Sequence, residues 1–359
     1  MKKRIRIKDV AAKAGVSTGT VDRVIHNRGK VNPEVKKKVE KVMKELGFER
    51  NLIASALAKN QNFRFGVLLP EPEGDPYWFQ LFAGVQKAGN LVKHYGVNLE
   101  LHHFELLSPS SYFKAAKKMM KFPYDAILFP PLFLKEGEWL LRECKKKEIP
   151  NVMINTNIKN SDSLCYIGQD SYQSGVLAAR LLSFGIKPKD TVMILSLTKG
   201  FTYAKHLIEK IQGFKEYFNS NGLEKIEIIV EEFEEFNNKR KLKSYLKKII
   251  KQYPNLSRIF FTNSRAYFAV DCLEDNFLEK CIIAGFDLIE PNINYLNENK
   301  INFLINQNPL EQGYLGITNL YRHLVLKQSL QNIQYLPLDI VVKENIQYYL
   351  EREQFAHVI

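Results

Sequence analysis

From Phe63 onward, apolar runs of strand length alternate with segments whose apolar residues recur at helical spacing. FRFGVLLP (63–70), VNLELHHF (97–104) and DAILFPP (125–131) read as strands, with helices over 78–94 and 111–121 between them. A second set follows: TVMILSL from Thr191, then KIEIIVEEF, RIFFTN, CIIAGFD and KINFLINQ, separated by helices near 203–218, 238–252, 265–276 and 289–299. Strictly alternating strands and helices predict parallel sheets flanked by helices, and two such sets predict two lobes with a cleft between them. Ligands in such sheets bind beyond the carboxyl ends of the strands, so the residues just after each strand are the candidates for contact.

The first 50 residues carry a different pattern. Val10, Ala11 and Ala14 form one small apolar helix face, Gly15 suits a tight left-handed turn, and Ser17 can cap a second helix carrying Val21, Val24 and Ile25. A third helix has Asn32 as cap, Pro33 at its first position, Val35, Val39, Val42, Met43 and Leu46 at helical spacing, and Gly47 as stop. The first two helices read as a helix-turn-helix. The second helix presents Thr18, Gly19, Asp22, Arg23 and His26 opposite its apolar face, where base edges of a major groove would lie.

Charge strengthens that reading. Residues 1–62 hold 16 Lys and Arg against 6 Asp and Glu, whereas the other 297 residues hold 36 against 33. Nearly all of the +13 net charge therefore lies in the first sixth of the chain, as a polyanion-binding head requires. The N-terminus is basic but lacks the apolar stretch of a signal peptide, and no run reaches about 18 apolar residues, so a cytoplasmic protein without a membrane partner is expected. Cys144, Cys165, Cys272 and Cys281 are scattered and contain no Cys-x-x-Cys pair, and they read as reduced packing residues. His102 and His103, adjacent on a strand, point to opposite faces and do not suit one metal ion. No metal or cofactor is expected. The acidic run 231–235 and the basic helix 239–251 read as solvated faces that can oppose one another.

The run Lys8-Asp9-Val10-Ala11, Ala14-Gly15-Val16-Ser17, Thr20-Val21 and Arg23-Val24 resembles the head of the LacI-type (lactose and purine repressor) family of transcription regulators, and the likeness extends over essentially the whole chain. The resemblance implies a three-helix DNA-binding head over 1–50, a hinge over 51–62 that becomes helical on DNA, and a two-lobed core over 63–359 like the periplasmic sugar-binding proteins. The first lobe is expected over about 63–165 plus a late crossover segment, the second over about 166–305, with a C-terminal segment returning across both. It further implies a ligand-responsive regulator, a repressor of genes for carbohydrate uptake or catabolism. Its partners would be a near-palindromic double-stranded operator, bound by a homodimer or a tetramer, and a small neutral sugar or polyol effector.

In that resemblance Thr18, Gly19 and Arg23 occupy base-reading positions, and Arg23 is the strongest reader because a guanidinium pairs bidentately with guanine. Ser17 and Thr20 are phosphate donors. Asp22 stands where serine is usual and has two readings, accepting from a cytosine amino group or orienting Arg23. Leu57, in Asn51-Leu52-Ile53-Ala54-Ser55-Ala56-Leu57, becomes the minor-groove wedge. Arg6 takes the usual cap position of the first helix, so that cap is lost or replaced.

In the core, Asp75-Pro76-Tyr77-Trp78 resembles the Asn-Pro-Phe-Phe loop of ribose-type binding proteins, whose two aromatics sandwich a sugar ring while Asp75 accepts from hydroxyls. Gln169 and Asp170, Asn263, Asp287 and Gln307 are carried over as effector contacts at strand ends. Asn155-Thr156 replaces the family's Asp-Arg. Ile208 stands where an arginine is usual, with Lys205, His206 and Lys210 as stand-ins. Two rival classes remain in view: a cytosolic sugar- or nucleotide-acting α/β enzyme, and a periplasmic-type solute receptor. The chain contains no phosphate-loop, dinucleotide-binding, nucleophile-elbow or His-Glu-x-x-His motif, which weighs against the first.

Overall fold

The computed structural model describes residues 5–26, 29, 31–46, 48, 62–198 and 204–355, and the chain divides into two compact units at Asn60/Gln61. The first unit contains α1 (Ile7–Ala14), α2 (Thr18–His26) and α3 (Pro33–Leu46). Gly15 adopts φ 65°, the left-handed turn between α1 and α2 that a Cβ would strain. Ser17 Oγ accepts from the Thr20 N–H at 3.1 Å, and Asn32 Oδ1 accepts from the Glu34 N–H at 2.8 Å, so both expected caps form. Arg6 offers no acceptor. Its role passes to Asp9, whose Oδ2 accepts from the Arg6 N–H at 2.7 Å. Val10, Ala14, Val21, Val24, Val39 and Val42 close a core at the centre of the three helices. Gly47 and the hinge, Leu57 included, lie outside the described residues.

The second unit holds two sheets. The first contains β1 (Phe63–Pro70), β2 (Val97–Phe104), β3 (Ala126–Phe129), β4 (Asn151–Ile154), β5 (Cys165–Gly168) and β11 (Ile333–Tyr335), in the order β11-β5-β4-β3-β1-β2 and parallel throughout. The second contains β6 (Thr191–Ser196), β7 (Glu227–Glu232), β8 (Leu256–Phe261), β9 (Ile282–Phe286), β10 (Phe303–Asn306) and β12 (Asp339–Val341), in the order β12-β10-β9-β8-β6-β7, with only β12 antiparallel. Strands such as AILF and TVMILS are buried along their whole length, as parallel strands covered on both faces must be.

Several expectations shift. The helix expected from 78 starts two residues earlier, as α4 (Pro76–Lys93), because Asp75 caps it and Pro76 suits its first turn. The 265–276 helix is two short pieces, α10 (Ala266–Val270) and α11 (Asp275–Leu278). Asp271 ends the first, its carboxylate taken by Lys239 at 2.5 Å and the Tyr295 hydroxyl at 3.2 Å. Residues 166–168 belong to the first lobe and not the second, since β5 pairs with β4 and β11. Strands β4 and β5 and helices α5 (Pro109–Met119), α6 (Leu134–Lys146) and α7 (Ser171–Ser183) complete this part of the chain. Strand pairing shows that the chain passes between lobes three times, after Gly168, after Gln307 and after Leu336.

Each lobe is braced by a helix pair in very close contact. In the first, α4 crosses α13 (Pro309–Leu324), and a Cβ on Gly84 would lie 1.9 Å from the Leu310 carbonyl oxygen. In the second, α7 crosses α8 (Lys205–Ser220), and a Cβ on Gly175 would lie 1.9 Å from the Lys210 carbonyl oxygen. On the outer face of the second lobe, acidic and basic segments do meet. Lys241 of α9 (Lys239–Gln252) pairs with Glu235, and the Tyr245 hydroxyl donates to Glu231 at 2.5 Å.

Candidate functional site

Two sites are built on this scaffold. On α2, Thr18, Gly19 and Arg23 are exposed while Thr20 and Asp22 are half-buried. The Ser17 and Thr20 hydroxyls bond each other at 2.9 Å, so one proton is spent between them and a single hydroxyl proton of the two is left for a phosphate. The side chain of His26 lies outside the described residues.

The second site is a cavity of about 100 Å³ between the lobes. The first lobe contributes Asp75, Trp78, Asn155 and an apolar wall of Leu106, Leu107, Leu132 and Phe133. The second lobe contributes His206, Lys210, Thr262, Asn263, Arg265 and Gln307. Thus Asp75, Tyr77, Trp78, Asn155, Asn263 and Gln307 converge as expected, though several are already engaged.

Asp75 caps α4, its Oδ1 accepting from the N–H groups of Tyr77 at 3.1 Å and Trp78 at 3.4 Å. Its other oxygen accepts from Arg265 at 3.0 Å across the cleft, with both side chains largely buried. The aromatic sandwich does not form. The Tyr77 and Trp78 rings stand at 82° with centroids 5.2 Å apart, and facing walls around a sugar require near-parallel rings with a gap between them. The Tyr77 hydroxyl turns inward, accepting from Asn155 Nδ2 at 2.7 Å and Gln312 Nε2 at 3.4 Å, and burial pushes its pKa well up. Trp78 is left as the aromatic wall.

Three further expectations are corrected. Asp170 caps α7 by accepting from the Gln173 N–H at 3.0 Å and does not line the cavity. Gln169 donates from Nε2 to the carbonyls of Asn306 at 2.6 Å and Pro337 at 2.8 Å, so one buried amide ties together the three passages between lobes. Asp287 is fully buried behind the cavity, with Oδ1 accepting from the Gln307 N–H at 2.9 Å and Oδ2 from Gln307 Nε2 at 2.6 Å. It orients Gln307 and does not reach the cavity.

Lys210 takes the place of the missing arginine. Its Nζ donates to the Thr262 carbonyl at 3.0 Å and Gln307 Oε1 at 3.2 Å, and lies 3.4 Å from the Phe286 ring centroid. Burial lowers the lysine's pKa and raises that of Asp287, and each charge partly restores the other. His206 Nδ1 meets Thr156 Oγ1 at 3.0 Å from the opposite lobe, and burial, with the Lys210 charge adding to it, pushes its pKa down to about 3. The imidazole is therefore neutral near pH 7. Sequence reasoning missed Arg265 altogether. It follows Asn263 by two residues on the same strand-end loop, so extending the strand-end rule past the first polar residue would have reached it.

Among the described residues, no group of three or more His, Cys, Asp or Glu side chains could hold a metal. His102 and His103 have separate partners, the Tyr124 hydroxyl at 2.7 Å and the Pro70 carbonyl at 3.3 Å. All four cysteines are buried thiols. No helix among the described residues is long and apolar enough to cross a membrane.

Comparison with known proteins assigns a family to each of the two units. Residues 65–328 match the periplasmic binding protein domain family and residues 6–51 match the bacterial regulatory proteins of the lacI family. The HTH-type transcriptional regulator MalR of Streptococcus pneumoniae is 26% identical over 302 residues, covering 81% of this chain and 85% of MalR. Catabolite control protein A of Priestia megaterium is 24% identical over 219 residues, covering 61% of this chain and 62% of its own. Among solved structures, one described as a LacI transcriptional regulator from Bacteroides fragilis superposes with a TM-score of 0.74 at 23% identity, covering 80% of this chain and 100% of that one. GanP, a glucose-galactose binding protein from Geobacillus stearothermophilus, superposes with a TM-score of 0.69 at 24% identity, covering 79% and 99%. The chain belongs to the periplasmic binding protein domain family and carries a LacI-family helix-turn-helix at its N-terminus. It is a DNA-binding transcription regulator of the LacI family.

Proposed function

We propose that this regulator is a cytoplasmic, effector-controlled repressor of carbohydrate uptake or catabolism genes, acting as a homodimer on a near-palindromic operator and responding to a small neutral sugar or polyol held between the lobes. Arg23 reads a guanine edge from each head, Thr18 and Asp22 flank it, and Leu57 wedges into the minor groove. The observation that carries the effector class is charge balance in the cleft. Each of its two well-placed cations is already matched, Arg265 by Asp75 directly and Lys210 by Asp287 through Gln307. What remains for a ligand is neutral: the second hydrogen-bonding valence of the Asn155, Asn263 and Gln307 amides, each already bonded once within the protein, with Trp78 and the leucines to cover C–H faces. An anionic effector would find neither cation free of a carboxylate.

The test is a thermal-shift screen of neutral sugars, polyols, sugar phosphates and carboxylates. A neutral hit at about 100 times its dissociation constant stabilises by roughly 2.7 kcal/mol. Trp78→Ala and Lys210→Met abolish that shift, and the hit changes operator affinity by the same factor that operator changes hit affinity. A screen in which only anionic compounds shift the melt, or a hit indifferent to both substitutions, sinks the reading.

A further inference from the structure

The net charge of the core is unevenly distributed. Residues 114–147 carry nine Lys and Arg against four Asp and Glu, while the rest of 63–359 carries 27 against 29. This segment spans α5, β3 and α6, and its lysines gather at the carboxyl ends of the two helices: Lys118 in the last turn of one and Lys121 just past it, Lys145 and Lys146 in the last turn of the other and Lys147 just past it, all exposed. The two helix ends touch, since Lys147 Nζ donates to the Met120 carbonyl at 2.5 Å. Cations at helix carboxyl ends favour the helix dipole, which accounts for one or two of them. It does not account for the excess: Lys118 and Lys121 have no ion-pair partner among the described residues, and Lys118 adds repulsion to the already depressed pKa of His102.

The location of the patch gives it meaning. In a parallel α/β lobe the helices run back from the cleft, so their carboxyl ends lie at the strands' starting end, opposite the effector site. Hydrogen bonds establish that β1 begins there, Phe63 N–H to the Gly96 carbonyl at 2.8 Å and Asp125 N–H to the Arg64 carbonyl at 2.9 Å, the latter in the loop that follows Lys121. Residues 1–62, including the DNA-binding head, are covalently joined to the core at this same end. Duplex DNA held by the head is thus tethered to a lysine-rich surface where Lys145 and Lys146, though paired with Asp162 and Glu143, keep most of their side chains in solvent and can exchange those weak pairs for phosphates.

We propose that this end of the first lobe is a second DNA-contacting surface, in which Lys118, Lys121 and Lys146 neutralise backbone phosphates flanking those engaged by the head. The contact is sequence-independent and adds affinity and salt dependence without adding base readout.

The experiment compares the full-length wild type with the triple variant K118A/K121A/K146A on random-sequence duplexes of about 20 and about 60 base pairs, the shorter being two helical turns and little more than a paired head footprint. Fluorescence anisotropy is read across a salt series. On the long duplex the triple variant shows a log-affinity against log-salt slope shallower by about 1 to 3, at 0.9 for each phosphate contact removed. On the short duplex the two proteins superpose. The charge-preserving K118R/K121R/K146R protein keeps the wild-type slope on both, and equal melting temperatures for all three exclude a folding defect. Equal slopes on the long duplex overturn the proposal, and leave an acidic protein as the partner to seek. A loss of the same size on both lengths also overturns it, by placing the lysines within the head's own footprint. If wild type itself shows no salt dependence on the short duplex, it is the DNA-binding assignment that has failed, which the same data separate from the failure of this surface.

Discussion

The two lobes share one architecture and present opposite chemistry to the cleft. Both are built on mainly parallel sheets, with β12 the one antiparallel strand described, and are braced by a helix pair crossing at a glycine, Gly84 in the first and Gly175 in the second. Yet the first lobe lines the cavity mostly with Trp78, Leu106, Leu107, Leu132 and Phe133, and the second with His206, Lys210, Thr262, Asn263, Arg265 and Gln307. The repeated scaffold decides where a ligand sits, at the strand ends. The individual side chains decide which wall is dry and which is polar. The two buried cations sit on one wall, and each is matched by a carboxylate, Lys210 by Asp287 from behind through Gln307 and Arg265 by Asp75 from across the cleft. This asymmetry means that equivalent changes in the two lobes should differ in function while agreeing in stability.

Alanine at the two crossing glycines is the most severe test of that contrast. In an ordinary helix Gly→Ala stabilises by up to about 1 kcal/mol. Here the new Cβ meets a backbone carbonyl at 1.9 Å in either lobe, which cannot rotate away, so the helices must separate. Gly84→Ala and Gly175→Ala should each cost roughly 1–3 kcal/mol or more, read as a fall in chemical-denaturation midpoint. Gly175→Ala pushes directly on the backbone of Lys210, so it should weaken effector binding more than Gly84→Ala does. A stabilised variant, or equal effector loss in both, breaks the comparison.

How far such a contrast can be read from sequence depends on how local its causes are. The three helices of the head were legible because Val10, Val21 and Val39 each belong to an apolar face at helical spacing, and caps such as Ser17 and Asn32 act over two or three residues. Strands that are apolar throughout, such as FRFGVLLP, were equally plain. The cleft was half legible. The strand-end rule located Asn155, Asn263 and Gln307, but their chemistry is set by residues far away in sequence: Gln307 by Lys210 and Asp287, Asn155 by Tyr77 and Gln312. Gln169 was placed at the correct strand end and given the wrong task, because nothing local reveals that two carbonyls, of Asn306 and Pro337, await its amide. The aromatic pair Tyr77-Trp78 failed for the opposite reason: adjacent helical residues diverge by about 100°, which disfavours parallel rings.

The polar wall should also make stability depend on pH in a way the dry wall does not. His206 is partly exposed by surface area but held neutral, its pKa down to about 3 against about 6.5 when unfolded. As pH falls below about 6.5 the unfolded chain takes up a proton that the folded protein refuses, so stability is full above that pH and is lost progressively toward pH 3. Between pH 7 and pH 5 the loss is about 1–2 kcal/mol, after discounting for the water that still reaches the ring. His206→Asn removes this portion of the slope while keeping a polar partner for the Thr156 hydroxyl, whose own proton goes to Asn155 Oδ1. Parallel urea titrations of both proteins at the two pH values check it, and identical pH dependence would show that the imidazole is freely protonated in the folded state.

The smallest expected effect is at the Asp75–Arg265 ion pair that bridges the two cavity walls. Asp75 and Arg265 are 3.0 Å apart, with side chains 18% and 13% exposed, so their attraction is screened less than that of a surface pair. Arg265 also stacks 4.7 Å over Phe236, and Asp75 caps α4, so single substitutions report more than the pair. A double-mutant cycle with Asp75→Ser, which keeps a capping oxygen, and Arg265→Met isolates the coupling, expected at about 1 kcal/mol. Because the pair exists only while the lobes are together, the coupling should grow when an effector holds the cleft shut and shrink when it is absent. A coupling near zero in both conditions would mean that the walls are held together without this pair, by the three chain passages, the buried Gln169 amide and neutral contacts such as Thr156–His206 and Gln80–Leu288.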